Sequence, residues 1–254
     1  MKDRGIFACA SLLEIGKAVY KRRKLRYNTA EGVRSVNVFD VIGPVMIGPS
    51  SSHSAGAVRL GRVAWVILGV EPVRAEIELT GSFATTYLGH GTDKALIAGC
   101  MGLCPYDEGI RNSLELAKER GLAYSFSTVR IPDAHPNTAR IRLYGANGER
   151  AVVEGASVGG GNILVSKLNG LRVSFTGECD TYLIRHYDRP GVIAAVTNFM
   201  MYCGLNINNF RLSREKKGGE ALMMIEVDGN ATEELLHQLN VIPDVIGTIL
   251  LKAV

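Results

Sequence analysis

The sequence predicts an α+β chain of two modules, a larger one around a mixed sheet and a smaller one of βαββαβ order. Three observations carry this expectation. Strand-like and helix-like segments alternate over residues 36–175. A second series, between Tyr182 and Leu251, runs strand, helix, strand, strand, helix, strand. A length of 254 residues with 46% hydrophobic residues suffices for a core in each module.

The larger module opens with Val38 to Ile47, short, β-branched and punctuated by Gly43 and Pro44, as a buried strand and its exit turn would be. The turn Gly48-Pro49-Ser50-Ser51-Ser52-His53-Ser54-Ala55-Gly56 follows, and Ala57 to Val70 then reads as a helix with Arg59 and Arg62 on one face. His90 is expected in a Gly-His-Gly turn before a helix beginning near Thr92, with Thr92 or Asp93 as its cap. Ser125 to Ile131 and Thr138 to Tyr144 read as strands flanking the turn Asp133-Ala134-His135-Pro136-Asn137. The Gly-rich Ser157 to Asn162 segment predicts close backbone packing or approach to a substrate.

In the smaller module Tyr182 to Tyr187 is the first strand, Asp188-Arg189-Pro190-Gly191 the turn after it, and Val192 to Cys203 a helix closed by Gly204. Leu205 to Leu212 alternates as a strand should, Lys216 to Gly219 forms a hairpin loop, and Ala221 to Val227 returns. Thr232 to Gln238 is the second helix and Val245 to Leu251 the last strand.

The formal charge of +4 is unevenly spread: residues 1–35 hold nine Lys or Arg against three acidic residues, and the remainder is net −2. The basic run Lys21 to Arg26 admits a nucleic-acid or anionic-surface reading, but it lacks an aromatic platform and a binding fold. An unstructured extension, or a start assigned too far upstream, accounts for it better. The apolar run Ile6 to Ile15 is too short to span a membrane. Neither nucleic acid nor membrane is expected as a partner. Cysteines 9, 100, 104, 179 and 203 form no secretory framework, and Cys100 and Cys104 read as a reduced, buried pair sharing a helix face. Phosphate-loop and dinucleotide fingerprints are absent from the sequence.

The Ser-His turn is the candidate for the chemistry. Unpaired N–H groups where a helix begins favour an anion, hydroxyls add donors, and a histidine beside a bound carboxylate is an acid or base near neutral pH. The same residues also admit a purely structural cap. One capping serine explains one hydroxyl, not three in a row beside a histidine.

Phe39 to Ala57, the Gly89-His90-Gly91-Thr92-Asp93-Lys94 segment, His135-Pro136-Asn137 and the Gly-rich turn, in this order, resemble the β chain of iron–sulfur-dependent L-serine dehydratases. The resemblance covers residues 36–175. It implies a domain like the allosteric substrate-binding domain of some phosphoglycerate dehydrogenases, working with an α subunit in the conversion of L-serine to pyruvate and ammonia. It further implies that a 4Fe-4S cluster resides on α and is not ligated by this chain, which would be inactive alone. His53 is then expected as the base. Ser50, Ser51, Ser52, His90, His135 and Asn137 are expected to bind substrate.

Residues 180–254 resemble an ACT domain, which implies an amino-acid effector near Asp188, Arg189, Pro190 and Gly191, or a scaffold for homo-association. A cytoplasmic enzyme is expected. A rival reading makes the chain a purely regulatory amino-acid-binding subunit, with catalysis confined to α.

Overall fold

The computed structural model describes residues 24–29, 32–37, 46–229 and 231–253. Lys24–Thr29 (β1) and Gly32–Asn37 (β2) form a two-stranded antiparallel ribbon. The expected strand over 38–47 lies largely outside the described residues, as do Cys9 and most of the basic extension.

From Met46 onward the chain forms one compact unit. A π-helical turn, Ser51–Gly56, leads into α1, Ala57–Leu68. Gly69 ends α1 in the left-handed conformation, two residues before the expected end. Next come β3, Arg74–Leu79, then α2, Gly81–His90, and α3, Thr92–Cys100. A 3₁₀ turn over Glu108–Asn112 precedes α4, Ser113–Glu119. Strands β4 (Ala123–Thr128), β5 (Thr138–Tyr144), β6 (Arg150–Gly159), β7 (Asn162–Leu168) and β8 (Leu171–Phe175) complete the first module.

These strands build a six-stranded sheet in the order β4-β3-β5-β6-β7-β8. It is mixed, as expected: β3 and β4 run parallel and every other pair antiparallel. The parallel pair needs the long crossover that α2, α3 and α4 supply. Alternation along β3 and β5 turns Ala75, Ile77, Leu79, Ala139, Ile141 and Leu143 into the core against α1. The intervening positions carry Glu76, Glu78, Arg140 and Arg142. Glu78 pairs with both arginines, and Glu154 of β6 with Arg140 and Lys167.

The second module follows the expected order as β9 (Asp180–Tyr187), α5 (Val192–Tyr202), β10 (Asn206–Arg214), β11 (Glu220–Asp228), α6 (Glu234–Asn240) and β12 (Val245–Leu251). Its antiparallel sheet has the order β10-β11-β9-β12. One face packs on α5 and α6 through Tyr182, Ile184, Met223 and Ile225. From the other face Leu183, Leu222, Met224 and Leu251 enter the core of the first module.

Candidate active site

His53 sits in the π-helical turn and is buried. A π turn is wider than an α turn and displaces its side chains relative to the helix that follows. Ser50 caps the turn: its Oγ accepts from the His53 backbone N–H at 3.2 Å and lies 3.4 Å from Nδ1. The structural-cap reading thus holds for Ser50, whose hydroxyl is also a neighbour of the imidazole. Ser51 and Ser52 are half-buried in the same turn.

The other side of the ring faces α2. Thr86 Oγ1 lies 3.1 Å and Ser82 Oγ 3.4 Å from Nε2. The Phe83 ring meets the imidazole edge-on at a centroid distance of 5.2 Å. His90 completes the surround, its centroid 4.7 Å from that of His53. Burial, and after it the neighbouring His90, hold His53 below the ordinary imidazole value of 6.5. The ring is therefore largely unprotonated at neutral pH, as a proton acceptor must be.

α2 was not expected from the sequence, which placed His90 in a turn. Instead His90 is the last residue of α2, and Gly91, in the left-handed conformation, links it directly to α3. The expected cap from Thr92 or Asp93 does not form, because Gly91 itself is the N-cap residue. Thr92 Oγ1 and Asp93 Oδ1 are instead buried without a hydrogen-bond partner. Ser82, Phe83 and Thr86 are the residues that sequence reasoning missed. A signal was there: Ser82, Thr86 and His90 are spaced by four and so share one helix face.

The His135 turn reaches the same region through backbone packing. Gly81 has φ +59°, and a Cβ on it would lie 2.5 Å from the Pro136 carbonyl oxygen. The Phe83 N–H donates to that oxygen at 3.3 Å. His135 itself is exposed; its Nδ1 accepts from the Asn137 N–H at 3.1 Å, which leaves Nε2–H as its free donor. The Asn137 carbonyl oxygen accepts from the Ser157 N–H at 3.0 Å. Ser157 packs in turn against Gly56 at the end of the π turn. The Ser-His, Gly-His-Gly, His-Pro-Asn and Gly-rich segments therefore converge. Arg59 of α1 fixes the last of them, donating from Nη1 to the Gly161 carbonyl at 2.7 Å.

The residues expected near an effector form a separate place on the second module. Asp188 accepts from Arg214 Nη1 at 2.6 Å and from the Gly218 N–H at 3.0 Å. The Gly218 amide, then Arg214, hold its carboxyl below the usual range. Arg189 donates to Asp244 Oδ1 at 2.6 Å, Pro190 is exposed, and Gly191 enters α5 with φ +94°.

Cys100, Cys104, Cys179 and Cys203 are free thiols. Cys100 ends α3 inside the core, where burial pushes its thiol up to about 12. Cys104 lies beyond the helix end, so the expected shared helix face does not exist; its sulfur accepts from Arg62 Nη1. Among the described residues no three His, Cys, Asp or Glu gather to hold a metal ion. A cluster bound by four thiolates does not fit this donor set. Among the same residues no helix is long and apolar enough to cross a membrane.

Comparison with known proteins extends the geometry. Residues 37–119 match the family described as serine dehydratase beta chain, and residues 183–247 match the AHAS small subunit-like ACT domain. The chain is 42% identical over 210 residues to the probable L-serine dehydratase, beta chain, of Bacillus subtilis strain 168, covering 83% of this chain and 95% of that one. It is 40% identical over 200 residues to the L-serine dehydratase, beta chain, of Peptoniphilus asaccharolyticus, covering 78% and 90%. A D-3-phosphoglycerate dehydrogenase of Bacillus subtilis is 27% identical over 181 residues, 70% of this chain but 34% of the dehydrogenase.

Proposed function

Because this chain belongs to the β-chain family of L-serine dehydratases, we propose that it supplies base and substrate-binding residues to a site completed by an α subunit. The reaction is the conversion of L-serine to pyruvate and ammonia, an ammonia-lyase reaction of the cytoplasm. The observation that carries this reading is the arrangement at His53: an imidazole kept largely unprotonated, gripped between the serine turn and α2.

The α-proton of serine is weakly acidic and hydroxide is a poor leaving group. His53 takes the α-proton while the β-hydroxyl departs, leaving aminoacrylate. That tautomerises to the imine, which water hydrolyses to pyruvate and ammonia. Ser51, Ser52 and the N–H groups of the turn orient the substrate carboxylate, with Ser50 beside them. His90, His135 through Nε2–H, and Asn137 provide further polar contacts. The chemistry of hydroxide departure belongs in this reading to a 4Fe-4S cluster on α, a Lewis acid for the hydroxyl.

The loop Asp188 to Gly191 is assigned to an amino-acid effector. Homo-association through the ACT module is supported by α5, which contains no charged residue and leaves Ile193, Met201 and Tyr202 exposed.

The test is anaerobic pyruvate formation from L-serine with this chain, with the cognate α chain, and with both after cluster reconstitution. Activity in the mixture alone is the expected result. Full activity from α alone would reduce this chain to a regulator. Wild-type turnover by a His53→Ala complex that keeps its cluster would remove His53 as the base.

A further inference from the structure

The ring of His53 has two nitrogens, and the hydroxyls around it decide which one carries the proton. Thr86 Oγ1 donates to the Ser82 carbonyl, one helical turn back, at 2.8 Å. A hydroxyl owns a single proton. Toward His53 Nε2, 3.1 Å away, Thr86 therefore accepts, and Nε2 must hold the ring hydrogen. The second hydroxyl near Nε2, that of Ser82, stands farther off at 3.4 Å and can rotate to accept as well.

The opposite nitrogen has a complementary neighbour. Ser50 Oγ accepts from the His53 backbone N–H, so its own proton is free to point at Nδ1, 3.4 Å away. Two independent hydroxyls, on α2 and in the π turn, thus favour the same tautomer. The serine turn lies on the Nδ1 side, where the substrate carboxylate is placed.

We propose that Thr86 is a positioning residue that holds neutral His53 as the Nε2–H tautomer, so that Nδ1 is the atom that accepts the substrate α-proton. The identity of the acceptor rests on His53 being the base; the tautomer does not. His90 is the titratable group facing this ring, and Ser50, Ser82, Phe83 and Thr86 complete its surround. An imidazole in the wrong tautomer keeps its place but loses its function, because the lone pair points away from the reacting bond.

The experiment uses the full chain, labelled with ¹⁵N-histidine, alone and in the reconstituted αβ complex. Imidazole nitrogen shifts at a pH above the His53 titration distinguish a bare from a protonated nitrogen. The expected wild-type result is a bare Nδ1 and a protonated Nε2. Thr86→Val keeps shape but removes the acceptor; it should mix or reverse the tautomers and lower kcat about ten- to a hundredfold with little change in KM. Thr86→Ser should restore both. A bare Nε2 in the wild-type protein, or unchanged shifts in Thr86→Val, overturns the proposal. If Thr86→Val does not fold, the wild-type spectrum still decides. A fully active His53→Ala complex alongside the expected wild-type shifts would reject the base and leave the tautomer standing.

Discussion

The imidazoles of His53 and His90 lie with centroids 4.7 Å apart and planes tilted by 58°. After burial, this neighbour is what lowers the proton affinity of His53. In the role proposed for it His53 works when unprotonated, so kcat/KM should fall as pH drops through a value below 6.5. In a His90→Asn enzyme the electrostatic contribution of this neighbour is gone, and that acid limb should move upward. A pH profile of the αβ complex reads the displacement; a limb that stays in place or moves down would show that the rings are not coupled.

Gly81 combines φ +59° with a backbone contact that a methyl group would invade. Gly81→Ala should therefore cost about 1–3 kcal/mol and push α2 off the His135 turn. Gly89→Ala, where a Cβ meets nothing within 4 Å, should stay within about 0.5 kcal/mol of wild type. Thermal unfolding of the two variants side by side measures the contrast.

Glu154 is buried between Arg140 and Lys167. Burial pushes its carboxyl up, but the two cations outweigh burial and leave it below the ordinary 4.5. A depressed carboxyl adds stability that is present above the unfolded value and lost as pH falls through the folded one. Glu154→Gln should therefore cost roughly 1–3 kcal/mol at pH 7 and progressively less below about pH 4.5. Urea midpoints at pH 7 and pH 4 provide the comparison.

Cys100 has a thiol held at about 12 by complete burial. Iodoacetamide at pH 8 should spare it in the native chain while reaching the half-buried Cys104, Cys179 and Cys203 faster. Peptide mapping by mass spectrometry gives the order, and rapid native labelling of Cys100 would contradict its place in the core.

Much of this architecture is legible in the sequence where burial imposes a period. Thr138 to Tyr144 and Val245 to Leu251 form strands over the expected residues, because alternating or continuous apolar side chains leave few other ways to bury them. The βαββαβ order follows for the same reason. α2 escapes notice because Gly81 to His90 buries only Phe83 and is rich in Ser, Thr and Gly. Its polar face is turned toward His53 rather than toward the core, so apolar periodicity is weak where the functional face is strong. The segments carrying His53, His90, His135 and Asn137 can be read from the sequence, but the partners of His53 emerge only when α2 is recognised as a helix. The missing side-chain cap on α3, which begins at Thr92 as expected, has a similar origin: Gly91 joins two helices without a loop, which leaves no turn for a capping side chain.

Leu183, Leu222, Met224 and Leu251 belong to the hydrophobic core of the module that carries His53. The ACT sheet is consequently part of the wall that keeps water from that core. A chain cut after Cys179 would lose all four side chains and leave the apolar surface they cover open to solvent. Inactivity of such a truncated subunit would report collapse rather than any change at the Asp188 to Gly191 loop. Amputation is thus the wrong instrument for this chain: the role proposed for the Asp188 to Gly191 loop can be tested apart from the scaffold only by exchanging single side chains on that loop while the sheet beneath it stays whole.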